Sequence, residues 1–246
     1  MQGERVHVFD KIETLNEAAA HRIRECAEEA VADHGAFHVA LAGGQTPVGV
    51  YETLRRLDGF PWERAHVYLG DERNVPGDHP DSNYRMARES LLDHVPVPAG
   101  QVHPIDTGRP PDQAAAAYAE LLQANLPRDG QDRPRFDLVL LGMGADGHVA
   151  SLFPDTDILR RRKRLVAAVY VEKLETWRIS LTLPAINAAR HVALLVAGDK
   201  KADVVRHVFH AGAEATPLPV QLIRPEEGPE WFLDAAAGRH VTGAPA

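Results

Sequence analysis

With 246 residues, 44% of them hydrophobic and 25% charged, the chain has the composition of a globular protein with a sizeable core, which excludes disorder. A formal net charge of −8 argues against nucleic acid or an anionic membrane as the main partner, since both need a basic face. A small anionic ligand stays open, because a few local cations and backbone N–H groups are enough to hold one.

Cys26 is the single cysteine, so no intramolecular disulfide and no cysteine metal cluster can form. Glu4, Arg5 and His7 stand where a signal peptide would need an apolar core, and no run reaches transmembrane length. The expectation is a cytoplasmic protein with one α/β domain over residues 1–246, and no linker or repeat.

Residues 6–9 read as a strand and 14–33 as a helix, with Leu15, Ala19, Ile23, Cys26, Ala27, Ala30 and Val31 along one stripe. Residues 37–42 are the next strand, 43–47 a glycine turn and 48–57 a helix. A third strand over 66–69 leads into a polar loop through Asp81. Ser82 is placed to cap a helix over residues 83–93. A short strand near Val102 and a helix over 112–125 follow.

Phe136 and Leu138 to Leu141 form a short apolar run, the pattern of a strand buried on both faces. Later strands are expected at 165–171, 179–183 and 192–197, with a short helix over 184–189 between them and a helix ending near His210 after Gly198. Residues 219–223 and 231–233 are expected to close the sheet, with a small tail at 235–237. Alternation of strands and helices through short loops predicts an α/β fold with a mostly parallel, Rossmann-like sheet and helices on both faces. In such a sheet, ligands bind outside the carboxyl ends of the strands.

Four strand ends carry unusual residues. The segment Ala42-Gly43-Gly44-Gln45-Thr46-Pro47 offers an anion the N–H groups of a strand-to-helix junction, although an ordinary tight turn has the same look. It matches neither G-x-G-x-x-G nor the lysine-containing phosphate loop, so nucleotide binding is not indicated. Asp71, Glu72 and Arg73 follow an apolar strand; Arg73 is a fork-shaped cation for a phosphate or carboxylate, and surface ion pairing is the plainer alternative, above all for Glu72. Asp146-Gly147-His148, after Gly142 and Gly144, places a histidine beside an acid able to fix its tautomer, as a general base requires. With thirteen histidines in the chain, only this loop context singles out His148.

Zinc-ligand spacing around that pair is lacking, so no metal is expected. Lys201 can reach over the strand ends as a phosphate cation, with Lys200 facing water, and Arg178 can join it. The basic run at 160–164 reads as a solvated face.

Taken together, LAGGQTP, LGDERNVPGDHPDSNYRMA, LGMGADGHVASLFP, WRISLTLPAIN and GDKKA resemble, in order, the 6-phosphogluconolactonases, within the fold group shared with glucosamine-6-phosphate deaminases. The resemblance spans about Val6 to Ala237. One departure is the turn at Gly43, where a serine-rich version is common. The resemblance implies a sugar-phosphate isomerase/deaminase-like fold and hydrolysis of 6-phosphogluconolactone without a cofactor. It makes His148 the base that activates water and Asp146 the acid that places it. Arg73, Arg178 and Lys201 become ligands of the 6-phosphate; Gly43, Gly44, Gln45, Thr46, Asp71 and Asn83 line the substrate pocket.

The implied partner is a small phosphorylated lactone, with no nucleic acid, membrane or obligate protein partner. Two rival readings are a glucosamine-6-phosphate deaminase/isomerase and a non-catalytic sugar-phosphate sensor. The first family carries an acid soon after the histidine, where this chain has VASLFP; the second is expected to have a DNA-binding extension before Val6.

Overall fold

A computed structural model describes residues 5–210 and 216–241 of the chain. Seven parallel strands form the main sheet: β1 (Arg5–Phe9), β2 (Phe37–Leu41), β3 (Ala65–Leu69), β5 (Val102–His103), β6 (Leu138–Gly142), β9 (His191–Val196) and β10 (Glu230–Asp234). Their spatial order is β1-β10-β9-β6-β2-β3-β5. All five residues of β2 and all six of β9 are buried, the burial that a sheet packed on both faces imposes. That is why these segments read as apolar runs without alternation.

A second, three-stranded antiparallel sheet is built from β4 (Asp71–Arg73), β8 (Thr176–Leu181) and β7 (Val166–Val171), in the order β4-β8-β7. Gly70 joins the two sheets: its N–H donates to Leu41 O at 2.9 Å and its carbonyl accepts from Leu181 N at 2.9 Å. Buried apolar side chains from both sheets belong to one continuous core.

Helices α1 (Ile12–His34), α2 (Thr46–Leu54), α3 (Asn83–Ser90), α4 (Pro111–Asn125), α5 (Leu183–Asn187) and α6 (Ala202–His210) connect the strands, and α7 (Ala235–Gly238) follows the last of them. α1 packs on α2 and on β2 and β10, and α4 on β7 and β8. Helix α3 begins as its sequence predicts, with Ser82 Oγ accepting from Arg85 N at 3.1 Å, a cap that contributes about 1 kcal/mol. No helix of the described residues is long and apolar enough to cross a membrane.

Four expectations are corrected. Residues 71–73 are a strand rather than loop, and Arg178 lies inside β8 rather than ahead of it. Residues 166–181 form a hairpin of the small sheet, not strands of the parallel one. Pro219–Leu222 is a single 3-10 turn, not a closing strand. Pro219 has no N–H for a ladder, and Gln221 Oε1 turns back to accept from Leu218 N at 2.8 Å. The turn instead gives Val220 N–H to Gly147 O at 3.0 Å, bracing the loop that carries His148.

Candidate active site

The carboxyl ends of β2, β3, β6 and β9 open on a cavity of about 520 Å³, within the range usual for a small-molecule site. Gly43, Gly44, Gln45, Thr46, Asp71, Arg73, Asn83, His148, Arg178 and Lys201 all line it, with Phe153, Ala150 and Leu174. Asp146 stands behind the wall, in contact with His148. Lys200 is exposed, as expected, and the basic residues 160–164 are exposed and lie outside this cavity.

His148 projects from the loop that follows β6. Its Nδ1 sits 2.5 Å from Asp146 Oδ1, and its ring stacks on Phe153 with centroids 4.0 Å apart. A carboxylate on Nδ1 leaves Nε2 as the nitrogen with a free lone pair, the arrangement of a general base. Burial lowers the His148 pKa, opposed by Asp146 and Asp71, so the ring stays neutral at neutral pH. Asp146 is held at about 2: burial works upwards, and the bonds from Lys173 and His148 outweigh it.

Glycine is required beside this pair. A Cβ on Gly144 would lie 2.0 Å from His148 Nδ1 and 2.6 Å from Asp146 Oδ1, so any side chain there displaces the histidine. On the opposite wall a Cβ on Gly43 would meet Asn83 Oδ1 at 2.1 Å. Close packing of backbone against functional side chains explains why these strand ends carry glycine.

The cationic side of the cavity comes from the small sheet. Arg73 on β4 and Arg178 on β8 are direct cross-strand partners. Like charges opposite one another destabilise a sheet. Both Nε atoms are buried without a hydrogen-bond partner. Burial, and then Arg73, lowers the Arg178 pKa, and burial lowers that of Lys201 against the pull of Asp146. Two opposed guanidiniums and an ammonium with donors to spare are a site arranged for an anion with several oxygens. The first turn of α2, at Gln45 and Thr46, adds helix N–H groups to the rim.

Asp71 and Glu72 hold these walls together. Asp71 accepts from Ser151 Oγ at 2.5 Å and from Asn83 Nδ2 at 3.0 Å, tying β4 to α3 and to the loop beyond His148. Glu72 is only 2% exposed, which corrects its reading as a surface ion pair. It accepts from Asn83 N at 2.7 Å, Tyr84 N at 2.8 Å and Ser82 Oγ at 2.9 Å, at the N-terminus of α3. Sequence reasoning also missed Lys173, which binds Asp146 Oδ2, and Phe153 as the stacking partner of His148. Phe153 was visible in the quoted loop; Lys173, 27 positions from Asp146, carries no local signal.

Fold and site together define an α/β protein with an Asp–His pair and an anion pocket at the carboxyl ends of a parallel sheet. The family model described as glucosamine-6-phosphate isomerases/6-phosphogluconolactonase matches residues 10–232, and the chain belongs to that family. A 6-phosphogluconolactonase of Synechocystis sp. is 42% identical over 214 residues, covering 87% of this chain and 88% of the relative. One of Mycobacterium leprae is 37% identical over 97% of this chain and 98% of its own. The structure of 6-phosphogluconolactonase from Trypanosoma brucei superposes with a TM-score of 0.87 at 30% identity, over 97% of this chain and 99% of that one. A monomeric glucosamine-6-phosphate deaminase, at 19% identity and a TM-score of 0.78, shares the fold.

Proposed function

We propose that the chain hydrolyses 6-phospho-D-glucono-1,5-lactone to 6-phosphogluconate in the oxidative pentose phosphate pathway. The observation that carries the reading is the placing of His148, backed by Asp146, and three cations on the walls of a single cavity. Arg73, Arg178 and Lys201 hold the 6-phosphate, so binding energy from a remote group sets the lactone carbonyl against His148. Asp71, Asn83 and the turn from Gly43 to Thr46 surround the sugar.

His148 Nε2 takes a proton from water as the oxygen attacks the carbonyl carbon. The resulting oxyanion is met by pocket N–H groups or a cation. As the intermediate collapses, the bond to the ring oxygen breaks and the imidazolium returns the proton to that oxygen, which leaves as a hydroxyl on the opened chain. Asp146 keeps Nδ1 protonated throughout. Residues 149–154, VASLFP, follow the histidine with no acid, which favours lactone hydrolysis over the deaminase chemistry of the same fold. The single cysteine suits a reducing compartment, and the cytoplasm is the setting proposed.

The test follows disappearance of the lactone by NMR against its spontaneous hydrolysis. Purified protein should accelerate it, and an unchanged rate defeats the proposal.

A further inference from the structure

Lys173 stands in the short 3-10 turn Glu172–Leu174 that links β7 to β8, remote in sequence from the catalytic loop. Its ammonium binds Asp146 Oδ2, while Oδ1 faces His148 Nδ1. The same nitrogen lies 4.7 Å from the centroid of the Phe153 ring, on which His148 stacks. Lys173 therefore touches both supports of the histidine, its carboxylate and its aromatic floor. Unlike Arg73, Arg178 and Lys201, it does not line the cavity.

We propose that Lys173 is a positioning residue for the lactonase reaction, holding the Asp146 carboxylate against His148 and offsetting part of its charge. This rests on the reading of His148 as the base. Two effects meet in one contact. Asp146 is partly exposed, and a carboxylate with one oxygen unbound can rotate towards water; the ammonium occupies that second oxygen. The Asp146 charge alone favours imidazolium, which is useless for deprotonating water, and the nearby ammonium works the other way. The remaining charged groups in play are Asp71 on β4, which favours imidazolium, and Lys201, which faces Asp146 from beyond β9. Neither binds the Asp146–His148 pair as Lys173 does.

Wild type, Lys173→Met and Lys173→Arg can be compared by steady-state kinetics across pH and by NMR titration of the His148 ring. Lys173→Met should lower kcat roughly 10-fold, the scale of losing a partner that orients a functional histidine, with KM little changed. Its acid limb and the His148 titration should both move to higher pH, and Lys173→Arg should restore rate and titration. A raised KM at unchanged kcat would make Lys173 a substrate ligand and overturn the proposal. An unmoved His148 titration overturns it whatever the rate. That titration needs no turnover, so a wild type without lactonase activity defeats the functional reading separately.

Discussion

Titratable groups gather at both ends of the parallel sheet, and the two gatherings are built on opposite logic. At the amino ends of β2 and β3, and alongside them on β5, His38, His66 and His103 form a row with Tyr68: His38 stacks on His66 at 4.6 Å and Tyr68 on His103 at 4.5 Å. His38 Nδ1 lies 3.2 Å from Tyr68 OH, and His66 Nδ1 lies 3.4 Å from His103 Nε2. Asp137 completes the cluster, meeting His34 Nε2 at 2.9 Å and His38 N at 2.8 Å. Here the polar atoms answer one another. At the carboxyl ends, His148 leaves one nitrogen to the cavity, and two arginines face each other with buried, unpartnered Nε atoms. A cluster of titratable groups becomes a site when it keeps unspent hydrogen-bonding capacity on an open cavity, and four clustered rings without that are structure.

The largest expected effect breaks the carboxyl end directly. His148→Ala should lose roughly 10²–10⁴-fold in kcat with the fold intact, and near-wild-type turnover removes His148 from the role of base. Gly144→Ala reaches the same ring from the backbone side. Since a 1 Å misplacement can cost about 10²-fold, kcat should fall by that order, measured with unfolding curves to show that stability is kept.

Arg178→Ala separates binding from folding. Losing a charge-assisted contact to phosphate costs about 1.5–3 kcal/mol, so kcat/KM should fall roughly 10–150-fold. Because the change also removes a cation opposed to Arg73, Tm should hold or rise. Inorganic phosphate at ten times its Kd should stabilise wild type by about 1.4 kcal/mol and the variant by much less, read as a thermal shift. A large drop in Tm without phosphate would show the guanidinium to be structural.

The smallest effect on activity belongs to the other end. Burial holds His38 near 3 and His103 near 4, with neighbouring histidines adding to the effect, and lowers His66 as well. Each is depressed below its ordinary 6.5, so the folded chain binds fewer protons than the unfolded one in that interval. Stability is then full above pH 6.5 and drains away as pH falls towards 4 and 3. His66→Phe keeps a ring in the stack that cannot charge; it should flatten this acid loss in unfolding measurements and leave turnover at neutral pH unchanged. An unaltered acid profile would disconnect the row from acid lability.

The sequence by itself determined the parallel strands and the loops at their ends. Buried strands such as β2, β6 and β9 have no polar face, and close approach at Gly43 and Gly144 tolerates no side chain, so both leave a local mark. It also determined the Asp146–His148 loop, because the two residues are two positions apart and their geometry is local. Only the tertiary structure decided what depends on pairing across long separations. The small sheet sets Arg73 opposite Arg178, the turn between β7 and β8 brings Lys173 to Asp146, and Glu72 is drawn inside to hold the start of α3. Each joins residues with no periodic or spacing relation in the chain, and a lone arginine, lysine or glutamate reads as a solvated surface until the partner that buries it is in place.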